Sequence, residues 1–133
     1  MTNPRVWSLG LDGATLALIR PWASSGHLPV LARLIDGGVS GNLRSTYPPL
    51  TGPAWSSFMT GKSPAWHGVL EFFRREEGTY RQRLNSPQDL DGHSLWRILS
   101  DAGRQVGVMG VPLTYPPEAV NGFLITGLLT SSG

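Results

Sequence analysis

Apolar side chains recur along this chain in two rhythms. Residues 5–11 (RVWSLGL), 105–111 (QVGVMGV) and 122–129 (GFLITGLL) are short, nearly continuous apolar runs. Such runs read as buried strands, the first of them ended by the turn pair Asp12-Gly13. Residues 39–46 (VSGNLRST) form a weaker strand candidate, interrupted by Gly41. Between the runs the spacing turns helical. Leu16, Ile19 and Trp22 fall on one face, with Pro21 predicted to kink or end that helix. Val30, Leu31, Leu34 and Ile35 make a second stripe, opened by Pro29 and stopped by Gly37-Gly38. Trp55, Phe58 and Met59 mark a third helix that ends at Gly61. Residues 69–84 predict a hairpin turning near Glu77-Gly78, and LWRIL (95–99) a helix ended by Gly103. TYPPEAV (114–120) reads as a loop.

The alternation of strands with helices, and strands apolar enough for burial on both faces, predicts an α/β sheet covered by helices. At 133 residues the chain suits one domain. It stops at TSSG, just after a strong strand and before any closing helix. That ending predicts a cut through a larger domain, against the alternative of a frayed tail on a small complete one.

Composition narrows the function classes. With 40% hydrophobic and 15% charged residues the chain is globular, not disordered. A net charge of +2, with only Arg74, Arg75, Arg81 and Arg83 close together, argues against a nucleic-acid partner. The absence of cysteine excludes thiolate zinc, a disulfide scaffold and a cysteine nucleophile. No signal-peptide pattern opens the chain, and no apolar run reaches the roughly 18 residues of a membrane span. A cytoplasmic protein without a membrane partner is the expectation.

Two residues stand out chemically. Asp12 ends the first strand, where α/β sheets gather functional groups. It is either an ordinary turn residue or a metal-binding carboxylate. Thr51 in STYPPLTGPAW precedes Gly52-Pro53-Ala54 and a helical stripe. Its hydroxyl is placed to cap the helix, and the same helix end attracts phosphate. A hydroxyl held there is also a candidate nucleophile. Gly61-Lys62-Ser63 lacks the upstream glycine and strand of a P-loop and is rejected as one. His27, His67 and His93 show neither metal spacing nor a triad, so His67 reads as closing a loop. Trp7, Trp55, Trp66 and Trp96 read as core or pocket wall.

Together GLDGATLALIRPW, LPVLARLIDGGVSGNLRSTYPPLTGPAWSSFMTGKSPAWHGV and GVPLTYPPEAVNGFLITGLLT resemble the N-terminal part of the type I phosphodiesterase/nucleotide pyrophosphatase family, within the alkaline phosphatase superfamily. The resemblance implies an alkaline-phosphatase-like α/β sandwich with a largely parallel sheet, of which residues 1–133 are an incomplete N-terminal part. It implies Thr51 as a nucleophile that forms a phosphothreonine, and Asp12 as a ligand in a site of two divalent metal ions, typically zinc. It also implies a phosphodiester or nucleotide-type small-molecule substrate. The chain departs from the pattern in two respects. It has no Asp-His pair for the later ligands, and Glu71-Phe72 stands where family members carry a phosphate-holding asparagine. The remaining ligands would then come from the rest of the domain or a complementing chain. A non-catalytic remnant or interaction module is the alternative.

Overall fold

The computed structural model describes residues 5–130. They divide after Arg44 into two compact units.

The first unit is a helix pair, α1 (Leu16–Ser24) and α2 (Pro29–Gly37). Thr15 caps α1, its hydroxyl accepting from the Ala17 N–H at 3.3 Å. The helix runs through Pro21 for three more residues, where a kink or end was expected. Pro21 gives up a single helical N–H, while its own carbonyl accepts from Ser25 at 3.0 Å and closes the last turn. α2 opens on Pro29, as its fixed φ favours. No side chain between residues 5 and 44 is buried.

The strands expected at residues 5–11 and 39–46 do not form. A strand exists only through a ladder with a neighbour, and among the described residues neither segment has one. Val6, Trp7, Val39 and Leu43 are accordingly almost wholly exposed. Trp7 is therefore neither core nor pocket wall.

The second unit holds the core. Its elements are α3 (Thr51–Thr60), α4 (Pro64–His67), β1 (Phe73–Arg75), β2 (Gln82–Leu84), a 3-10 turn (Pro87–Asp89), α5 (Leu95–Asp101), β3 (Val106–Val111) and β4 (Gly122–Thr126). Met59, Val69, Trp96, Val108 and Leu113 form the buried centre, with Phe72, Leu90 and Leu124 packed on it. α3 and α5 supply its helical side and β3 its sheet side. Gly61 and Gly68 end α3 and α4 in the left-handed region, at φ 67° and 78°.

The two sheets are small and separate. β1 and β2 pair antiparallel through a turn at Glu77-Gly78, as the sequence predicts, and their register sets Arg74 opposite Arg83. β3 and β4 pair parallel, with a bulge at Gly110, and residues 112–121 cross between them. Gly122 fits only as glycine: a Cβ there would stand 1.9 Å from the Val106 carbonyl oxygen. The chain is thus a mixed α/β protein. Its β3–β4 sheet, expected to be buried on both faces, leaves Met109, Phe123 and Ile125 more than half exposed and turns Val108 inward. The period-2 alternation of a strand separates these residues by face, and the described core covers only one side.

Candidate functional site

Thr51 is the first residue of α3, one position further in than a cap. Leu50 takes the cap position in extended conformation, and its carbonyl accepts the first helical hydrogen bond, from Ala54 at 3.0 Å. No side-chain cap bond is made at Leu50. The N–H groups of residues 51 and 52 precede that first bond, and Pro53 has none. Thr51 itself is half-buried.

Gly52 carries the next constraint. A Cβ there would approach the Glu71 carbonyl carbon and the Phe72 nitrogen to 3.4 Å, so the 71–72 segment runs against the first turn of α3. Asn85 fixes that segment, its Nδ2 donating to the Glu71 carbonyl at 2.7 Å and its N–H to the Phe72 carbonyl at 2.8 Å. The Glu71 carboxylate folds back to accept from the Phe72 N–H at 2.9 Å. A negative charge on this segment opposes an incoming anion.

Below the first turn, α3 is pinned by a residue the sequence marked only as closing a loop. His67 is fully buried at the end of α4, and its Nε2 lies 2.9 Å from Ser57 Oγ. The Val69 N–H donates to His67 Nδ1 at 3.2 Å, which places the ring proton on Nε2. His67 is therefore the donor to Ser57 and does not act as a base that activates it. Nothing in the local sequence announces the pair, whose members lie on different helices. The other tryptophans divide: Trp96 is core, Trp55 packs edge-on against Phe58 at 5.6 Å, and Trp66 is largely exposed.

Burial holds the His67 pKa below its ordinary value of 6.5, the hydrogen bonds to backbone opposing it only in part. The folded state therefore resists a proton that the unfolded chain accepts. Stability is complete above about pH 6.5 and falls as the pH drops toward the lower folded pKa. Urea titrations between pH 7.5 and 5 should show this fall. His67→Gln should reduce it, and an equal fall in that variant would contradict the assignment.

Asp12 lies in the first unit, exposed in the turn it forms with Gly13, whose φ is 67°. Thr51 belongs to the second unit. Among the described residues no three His, Cys, Asp or Glu side chains converge as a metal site would require. The described residues do not by themselves supply the ligand set of a two-metal centre. No helix among them is long and apolar enough to cross a membrane.

A family model matches residues 6–126 of this chain, that of the type I phosphodiesterase / nucleotide pyrophosphatase. The chain belongs to that family. No curated protein and no solved structure matches it significantly. Family membership makes a phosphodiesterase- or pyrophosphatase-type hydrolase the functional class. The match spans both units, including Asp12 and Thr51.

Proposed function

We propose that this chain is the N-terminal part of a phosphodiester or nucleotide pyrophosphate hydrolase of alkaline-phosphatase-like fold, with Thr51 as its nucleophile. The observation that carries the reading is the place of Thr51. It stands at the start of α3, where the helix dipole and first-turn amides favour a phosphate. Thr51 Oγ attacks phosphorus, the bond from phosphorus to the departing alcohol breaks, and the hydroxyl proton ends on that alcohol. The product is a phosphothreonine still esterified to the retained alcohol. Water then cleaves the Oγ–phosphorus bond and releases the phosphate monoester.

The two-metal centre implied by the family would take Asp12 as one ligand. Its other ligands would come from the rest of the domain or a complementing chain, since the described residues gather no set of three. The same missing set, together with Glu71 beside the first turn of α3, favours a second reading, a non-catalytic interaction module.

The test is an acid quench after incubation with bis(4-nitrophenyl) phosphate and zinc, followed by peptide mass mapping. A nitrophenylphosphoryl adduct on Thr51 is the expected result. Turnover with an adduct elsewhere would overturn the nucleophile assignment, and no turnover at all would favour the second reading.

A further inference from the structure

Between α5 and the 112–121 crossover the second unit holds a half-open cavity of about 310 Å³. That is at the small end of the range for ligand pockets. Met59, Trp96, Leu113 and Leu124 give it apolar walls. Glu118 is the acidic residue and His93 the basic one among its lining, and neither lysine nor arginine lines it. The Lys62 side chain lies against Gly92 near the rim, with Asp91 3.9 Å from its ammonium.

The Glu118 carboxylate is fixed by two donors on one oxygen. Ser94 Oγ donates to Glu118 Oε1 at 2.5 Å, and the Trp96 indole N–H donates to the same atom. Glu118 Oε2 accepts from no group among the described residues. The side chain is only partly exposed. A charged acceptor held in one orientation, half withdrawn from water and flanked by apolar walls, suits a ligand that is both cationic and apolar. It repels a phosphate. The cavity is also remote from the start of α3, for Met59 in its wall sits two turns, about 12 Å, along the helix from Thr51.

We propose that this cavity binds a small organic ammonium ion, with Glu118 as its counter-ion, at a site separate from Thr51. The test is an NMR titration of the 133-residue chain with cyclohexylammonium chloride, following the Trp96 indole N–H. Cyclohexanol serves as the neutral probe of matching shape. Glu118→Gln keeps an amide oxygen for Ser94 and Trp96 and removes only the charge.

The ammonium should give a saturable shift of the Trp96 indole resonance. Cyclohexanol should bind the native chain about tenfold more weakly, as should the ammonium bind Glu118→Gln, the loss of one charge-assisted contact. Equal affinity for the two probes, unchanged ammonium affinity in Glu118→Gln, or no saturable shift would each overturn the proposal. The comparison of probes on the native chain needs no variant, so misfolding of Glu118→Gln cannot mask the answer.

Discussion

Thr51→Ala should lower phosphodiester turnover on the order of 10⁶-fold, the loss seen when a nucleophilic hydroxyl is removed. The experiment belongs in the preparation, chain or complex, that hydrolyses bis(4-nitrophenyl) phosphate. Leu50 supplies the cap carbonyl of α3 and Thr51 is its first helical residue. If Thr51 served the helix alone, the variant would lose about 1 kcal/mol of stability and keep its turnover. Thr51→Ser should recover part of the activity, because it restores a hydroxyl at the same Cβ. Near-normal turnover in the alanine variant would remove Thr51 from the chemistry.

Asp89→Ala carries the largest expected effect on stability. The β1–β2 register sets two arginines face to face, a destabilising pair if left alone. Asp89 resolves it. Its Oδ1 accepts from Arg74 at 2.8 Å and from Arg83 at 2.5 Å, and its Oδ2 accepts from a second Arg83 nitrogen at 2.7 Å. The same carboxylate accepts from the Ser86 N–H at 2.8 Å and from its hydroxyl at 3.1 Å, completing a capping box on the 3-10 turn. Its side chain is only 6% exposed, so these partners replace water almost entirely. Removing it should cost about 2–3 kcal/mol, through lost charged hydrogen bonds and a lost cap. An unchanged denaturation midpoint would mean the hairpin is held by something else.

Asp89 also sets the acid limit. Arg83 foremost, then Ser86 and Arg74, hold its carboxyl far below the usual range despite burial pushing the other way. The folded pKa is depressed, so its contribution is present above the ordinary value of 3.8 and is lost as the pH falls through the lower folded one. This window lies below that of His67. Stability should therefore fall first as His67 and then as Asp89 takes up its proton, and Asp89→Ala removes the second fall.

What the sequence discloses here is what local chemistry decides. The turn at Glu77-Gly78, the stop at Gly61 and the Pro29 opening of α2 were all legible, because each depends on the backbone preferences of one or two residues. Residues 5–11 and 39–46 show the limit. An apolar run records a need for cover but not which segment pairs with it. The β3–β4 pairing was suggested by similar runs, yet its open face was not, since burial depends on elements far along the chain. In the candidate site, the helix start at Thr51 was readable from Gly52-Pro53, though displaced by one residue. The Ser57–His67 contact, the Asp89 clamp and the Glu118–Trp96 tether were not. Each joins residues from separate elements, 6 to 22 positions apart, with no shared periodicity.

The two units also differ in how freely their sequences can drift. With no buried side chain between residues 5 and 44, most substitutions on α1 and α2 should cost no more than about 0.5 kcal/mol, provided they respect Thr15 and the helix ends. The segment around Met59, Val69 and Trp96 has no such latitude, because each change there opens or overfills a shared interior. Variation among descendants of this chain should therefore accumulate in its first third, and Asp12 is the residue in that stretch whose persistence would speak for chemistry.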